Sequence, residues 1–385
     1  MRIQLLLLLL VMVLPSCNSP ARTGVSSQNP ELFIVHVDGK AGYIDGRGQL
    51  VIQPHFDEAS PFSEGLAAVR IGDVSTGKWG YIDSVGHLEI EPRFGGAGAF
   101  SNGLALVNLS TEVAAYIDRK GSVAITPQQV SVDGVAARFT HAFQEGLAPF
   151  IIDEIGSPLR AGYINIDGKI AIEPRFANAF SFQGGRAQVF LSEQPSRAAF
   201  VDKSGTLLGA PFEICKPLLD GELEFSEDYA AAQFGCGGKW GYVDHFGRFQ
   251  ILPQFATAGS FHSDLARVQV AVMVAYRPAP PGGELLVARN DEDGGRKNGS
   301  VYGYIHKSGI LVISPRFRDA QMFSEGLAAV QMALKWGFID TSGRFAIPAK
   351  FDAARSFSGG LAEVSIGKAR GYIDKTGEFV WKPTI

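Results

Sequence analysis

The sequence is short of the residues that mark most chemistries. Among 385 residues there are 5 methionines, 4 tryptophans and 3 cysteines. The cysteines form no C-x-x-C pair and none stands at a Cys/His metal spacing. Basic residues are not in excess: Lys+Arg is 35 against Asp+Glu 39, a net charge of −4, so no field for a dedicated nucleic-acid binder exists. There is no G-x-S-x-G, H-E-x-x-H, Walker loop or G-x-G-x-x-G. What is plentiful is glycine (46) and phenylalanine (27), within a chain that is 46% hydrophobic. Many turns and many aromatics, with little methionine, point to an all-β chain with a real core.

The one long apolar run, Leu5 to Leu14, follows Met1-Arg2 and has the length of a signal-peptide core rather than of a permanent membrane span. It ends in Leu14-Pro15-Ser16-Cys17, which resembles the bacterial lipobox, although Pro15 departs from the commoner small residue. The resemblance implies removal of residues 1–16 as a lipoprotein signal peptide, diacylation of Cys17, and a membrane anchor through that lipid. Residues 17–31, rich in Ser, Pro, Asn and Gln, read as a lipidated cysteine and flexible tether. Asn18 after the cysteine, by the same resemblance, favours the outer membrane of a Gram-negative envelope. Cys215 and Cys236 remain; an oxidising periplasm allows them to pair, and two separate thiols are the alternative.

Residues 32–385 repeat. Gly42-Tyr43-Ile44-Asp45 and its exact or relaxed copies occur nine times, at successive spacings of 38, 35, 47, 37, 42, 62, 34 and 34 residues. The basic unit is therefore about 34 residues with insertions. A glycine follows each Asp position by three residues, and Asp45/Gly48, Asp83/Gly86 and Asp340/Gly343 read as structural hairpin turns. A proline six residues later is expected to end the second strand. Eight units then carry an aromatic-led turn such as Phe62-Ser63-Glu64-Gly65-Leu66-Ala67, closed each time by Ala. Each unit thus reads as three short strands that bury a core only by stacking on neighbours.

Lys78-Trp79-Gly80-Tyr81, Lys239-Trp240-Gly241-Tyr242 and Lys335-Trp336-Gly337-Phe338 resemble the bacterial WG (KWG) repeat. That resemblance covers almost the whole chain after the tether, and it implies a secreted or surface β-repeat protein without an assigned reaction. The expected architecture is an open, twisted solenoid of about nine three-stranded repeats, with a closed propeller-like ring as the alternative. Leu32 to Val37 looks like a third strand lacking its first two, and the C-terminus lacks its third; either architecture accommodates this.

No constellation supports catalysis. A general acid occurs once per site, whereas the Asp column recurs in nearly every unit and reads as turn chemistry. No metal ligand set and no cofactor is expected. Two insertions, 151–161 and 271–300, interrupt the period, and insertions in repeat proteins collect on one face, often the binding face. Trp79, Trp240 and Trp336 with Arg93, Arg175 and Arg316 are candidates for a ligand-binding surface, although tryptophan packed on the adjacent glycine backbone and arginine solvated beside a turn are the simpler explanation. The functional expectation is a non-catalytic cell-envelope lipoprotein that binds a protein or glycan partner and no nucleic acid. The alternative is a carbohydrate-active envelope enzyme with its site in the insertions.

Overall fold

The computed structural model describes residues 31–111, 113–192, 197–213, 223–233, 238–271 and 300–384. The lipobox with Cys17, the tether up to Pro30, Cys215, Cys236 and all of the second insertion except its two end residues lie outside the described residues. The described residues are all-β apart from one 3-10 turn at Pro127–Gln129, and nine of their ten sheets form the blades of a closed ring, a β-propeller. The open solenoid expected from the repeats is therefore corrected to a ring.

Blade one contains β1 (Phe33–Val37), β2 (Lys40–Ile44) and β3 (Leu50–Phe56). Blade two contains β4 (Glu58–Ala59), β5 (Ala67–Ile71), β6 (Lys78–Ile82) and β7 (Leu88–Phe94). Each is an antiparallel meander. Blades three to nine lie within 96–125, 138–176, 178–213, 225–255, 257–317, 319–351 and 353–384 and repeat the four-stranded pattern of blade two. A two-stranded hairpin, Ser131–Val132 with Val135–Ala136, stands between blades three and four. Three strands per unit was thus one too few for eight blades, because the stretch before the aromatic-led turn also pairs. Each blade straddles the repeat boundary: the Leu-Ala-x-Val strand of one unit pairs with the Gly-Tyr-Ile strand of the next. The N-terminal strand is accordingly not an orphan but the natural partner of β2.

The aromatic-led turns are two-residue type I′ hairpins, the geometry whose twist matches that of the flanking strands. Both central residues have positive φ in all eight, from Glu64 (51°) and Gly65 (80°) to Gly359 (55°) and Gly360 (84°). The Asp turns close differently. The Asp45 carboxylate accepts from the Arg47 and Gln49 amides, both at 2.9 Å, while Gly48 supplies φ 78°. Asp83/Gly86 and Asp340/Gly343 repeat this arrangement.

The glycine of the Trp-Gly pair has another task. A Cβ on Gly80 would lie 2.4 Å from the Ile90 carbonyl oxygen and 2.7 Å from the Pro92 nitrogen. Strands β6 and β7 approach this closely because their register shifts between Trp79 and Tyr81. Pro92 sits inside β7 at that irregularity, which corrects the expectation that proline ends the strand; its missing N–H costs no ladder bond there. Gly42, Gly162, Gly241, Gly303 and Gly337 meet the same backbone. Alanine replaces the glycine at Ala115 and Ala199, in the two blades whose last strands are short, Val123–Ile125 and Phe212–Glu213.

Blade joins to blade through the tyrosine that follows. Tyr81 is fully buried and donates its hydroxyl to the Gly98 carbonyl of blade three at 2.8 Å, while its ring packs 4.9 Å from Phe100 of the next turn. Tyr43, Tyr163, Tyr242 and Tyr304 do the same to Ser60, Phe180, Gly259 and Gln321. Burial holds the phenols of Tyr43, Tyr81, Tyr242 and Tyr304 well above their ordinary pKa, so they remain hydroxyl donors. The seam uses the same contact. Tyr372 of blade nine donates to the Ile34 carbonyl at 2.8 Å. Gly48 packs against Val380 much as Gly86 packs against Ile52 and Gly121 against Ile90. The glycine step, repeated between all other neighbours, is completed between last and first, and this closes the ring.

Three outcomes follow from this packing. Tyr81→Phe should cost about 1 kcal/mol in denaturant unfolding, the worth of one hydrogen bond, with the fold kept, as Phe200 and Phe338 already occupy that column. Gly80→Ala should cost several times more than Gly326→Ala, whose Cβ meets nothing within 4 Å and bears only the left-handed backbone cost of about 1–2 kcal/mol. The Ser204 and Ser342 hydroxyls and nearby amides hold Asp202 and Asp340 below the usual carboxylate range. Such groups stabilise the fold above their unfolded pKa and lose that contribution as acid protonates them in the fold. The melting temperature should therefore hold down to about pH 4 and fall below it, and Asp340→Asn should flatten the acid limb.

Candidate functional site

The meander gives the ring two unlike ends. The type I′ turns and the Asp turns lie at one end, because they join the first strand to the second and the third to the fourth. Loops between second and third strands, and all crossings between blades, lie at the other.

The turn end is uniform and laced. Glu64 accepts from the Gly103 amide of the next turn at 3.0 Å, and its carbonyl accepts from Arg119 at 2.6 Å. Asn102 holds the Gly146 amide at 2.7 Å and Glu145 the Gly185 amide at 2.9 Å. Farther round, Glu227 holds the Asp264 amide and Glu325 the Gly360 amide. Lysines from the following blade's Asp turn then clamp these carboxylates: Lys203 on Glu145 at 3.1 Å, Lys307 on Glu227 at 3.2 Å and Lys375 on Glu325 at 3.0 Å.

The loop end is irregular. Asp38-Gly39, Ala333-Leu334 and Gly367-Lys368 are minimal connections, whereas 72–77 and 153–159 are longer. Within 72–77 the Asp73 carboxylate accepts from the amides and hydroxyls of Ser75 and Thr76, and these bonds hold it below its ordinary range. The first insertion is a loop of seven residues, since strands Leu147–Ile152 and Arg160–Asn165 extend into the interval 151–161. Arg138 faces Asp153 at 3.7 Å, and Arg160 reaches Asp133 at 3.1 Å and Glu154 at 3.8 Å, which ties the loop to the inserted hairpin. Ile155 at its tip is fully exposed. The second insertion leaves the ring at Ala271 and returns at Ser300, also at this end.

The residues singled out for a binding surface are distributed differently. Trp79, Trp240 and Trp336 are half-buried in blades two, six and eight, each packed on the apolar cluster between its own blade and the next and paired across the strands with Phe94, Phe255 or Phe351. Arg93, Arg175 and Arg316 reach across to the next blade. Their guanidinium groups donate to the carbonyls of Gly121, Gly205 and Gly343 at 2.6, 2.7 and 2.6 Å and lie 5.0–5.2 Å from the rings of Phe94, Phe176 and Phe317. The fold does not gather these six side chains into one site; it spreads them as packing and staples around the ring. Among the described residues no three His, Cys, Asp or Glu side chains stand close enough to hold a metal.

Sequence reasoning missed one concave feature, a cavity of about 430 Å³ at the seam. It lies along β1, between Arg355–Ser358 of blade nine and Ala59–Pro61 of blade two, with Tyr372 on its wall. The available signal was the aromatic-led turn, present before eight of the nine Leu-Ala strands and absent before β1.

The sequence profile of the WG containing repeat matches residues 42–74, 79–110, 162–192, 240–271, 302–333 and 336–368. No curated protein matches the chain in sequence. Among solved structures, a eukaryotic initiation factor is similar over 92% of this chain and 98% of its own, with a TM-score of 0.56 at 11% identity, a likeness of fold alone. BamB from Moraxella catarrhalis aligns over 90% of this chain and 92% of its own, and AztD from Citrobacter koseri over 92% and 93%. Their TM-scores are 0.38 and 0.37 at 11% and 12% identity, too low to extend the comparison. Six matched repeats spanning half of the residues, all set in one closed ring, identify the family: the chain belongs to the WG-repeat proteins.

Proposed function

We propose that this is a non-catalytic binding protein of the cell envelope, anchored by a lipid on Cys17, that offers the loop end of its ring to a protein or glycan partner. The observation that carries the reading is the contrast between the two ends. The connections 72–77 and 153–159, and the points at Ala271 and Ser300 where the second insertion leaves and returns, lie at one end, while the opposite end is a repeated lattice of turn-to-turn bonds. Variation confined to one end of a rigid scaffold is the arrangement in which loops carry recognition. The lattice at the other end supplies the rigidity. Localisation rests on the lipobox resemblance, and two acyl chains give the hold that one chain does not.

Two measurements test this. Cys17→Ser should move the protein from the membrane to the soluble fraction; full membrane retention would refute the anchor. Replacing 153–159 by Asn-Gly should leave the melting temperature near that of the parent and abolish partner cross-linking in intact cells, while Glu64→Gln should leave cross-linking unchanged. The opposite pattern would place recognition at the turn end.

A further inference from the structure

The lattice at the turn end follows a rule and departs from it once. Where the first central residue of a type I′ turn is glutamate, the Asp turn of the following blade supplies a basic side chain. Glu64 meets Arg119, Glu145 meets Lys203, Glu227 meets Lys307 and Glu325 meets Lys375. Where that residue is not glutamate, the basic side chain is absent too: Asn102 is matched by Ile166, Ser263 by Thr341 and Gly359 by Gly46. The joint between blades five and six keeps only half of the arrangement. Its turn begins with Gly184, yet His245 stands in the column of Arg119 and the lysines.

The neighbouring joint shows what the complete arrangement contains. Between blades six and seven the Glu227 carboxylate accepts from the Asp264 amide at 3.0 Å and from Lys307 at 3.2 Å. Lys307 pairs at the same time with the Asp264 carboxylate at 3.0 Å. Between blades five and six, His245 and Asp228 reproduce that last pair, Nε2 to carboxylate oxygen at 3.3 Å. Gly184 brings no carboxylate, and the Asp228 amide has no acceptor among the described residues. The backbone is otherwise ready for a glutamate. Gly184 has φ 61°, close to the 51–52° of the four glutamates, and a Cβ on it would meet nothing within 4 Å.

The basic groups around this place are held and underused. Gln183 donates to the Phe225 carbonyl at 3.1 Å, which fixes the glycine turn against blade six, and the His245 ring stacks on Phe225 at 4.4 Å. The His245 Nδ1 is buried without a hydrogen-bond partner. Arg186 stands in a column that is leucine in seven of the eight other blades. Its side chain reaches the Gly184 carbonyl at 3.3 Å and enters no ion pair among the described residues. Burial, and after it the Arg186 charge, hold the imidazole below its ordinary pKa. Two basic groups side by side oppose each other's charge, and an anion shared between them removes that opposition.

We propose that the joint between blades five and six binds a carboxylate supplied from outside the chain, seated where four other joints carry their own glutamate. The Asp228 amide and the Arg186 guanidinium donate to it, the latter through a charge-assisted bond. His245 takes the place that Lys307 has beside Glu227. The site lies at the turn end and stands independently of recognition by the loop end.

The test is a magnetic-resonance titration of the full mature chain with sodium acetate, compared with sodium chloride at equal ionic strength. Saturable shifts of the Asp228 amide and the His245 ring with acetate, and none with chloride, are expected. Gly184→Glu should abolish them without lowering the melting temperature, because the chain's own carboxylate then occupies the place. Arg186→Leu should weaken acetate binding about tenfold, the worth of one charge-assisted hydrogen bond. No saturable shift in the parent, equal shifts with chloride, or shifts unchanged in Gly184→Glu would overturn the proposal. A peptide with the chain's own sequence Phe62–Ala67 separates two sources of the carboxylate. Tighter binding than acetate supports the site and assigns it to an acidic turn of another protein; equal binding supports it and assigns it to a small free carboxylate. Binding of the same peptide with Glu64→Gln would count against any carboxylate site.

Discussion

A phenol buried between two sheets is the element on which this ring depends. The column tyrosines of blades one, two and four lie against the next blade's turn phenylalanine and hand their hydroxyls to a carbonyl in that blade, and Tyr372 does the same with Phe33 and Ile34 at the seam. The ring contact is worth about 0.5–1.5 kcal/mol beyond its buried area, and the hydroxyl would be costly to bury without its acceptor. Together they set how far one blade can turn relative to the next, since the hydrogen bond is lost if the sheets slide. For the tyrosine to reach that position its strand must lie tight against the following one, and the glycine before it allows this. The glycine, the bulged proline strand and the tyrosine are three parts of one joint.

That joint also explains why the solenoid expectation fails and how much of the fold the repeats disclosed. The Gly-Tyr-Ile-Asp column, the Asp turns and the Leu-Ala strands are all visible in the sequence because their chemistry is local: positive φ, side-chain capping, burial on both faces. The rotation per unit is not local. It arises from Tyr-to-carbonyl and Gly-to-Ile contacts between residues about 17 and 34 positions apart, and a single sequence carries no record of their angle. The short strands escaped notice for a related reason. Glu58–Ala59 is two residues long and has no alternation to betray it; only the type I′ turn beside it, Glu64-Gly65, makes it pair.

The candidate site was legible in part. That insertions collect at one end follows from the unit period alone. The arginines of the Pro-Arg-Phe triplets were readable as exposed cations but not as staples, because their acceptors, the carbonyls of Gly121, Gly205 and Gly343, lie 27–30 residues farther on. A donor stacked over its neighbouring phenylalanine and bonded to the next blade has little freedom left for a ligand.

An unpaired strand edge is a liability that folded proteins normally cover, and eight blades here cover it with their short strands. Among the described residues no strand stands beside β1, yet its edge is not presented flat to solvent. The short strand of blade nine stands on one side and that of blade two on the other, and Phe33 fills the aromatic position beneath. A second sheet cannot reach an edge recessed in this way, so the packing that closes the ring also protects it from edge-to-edge association.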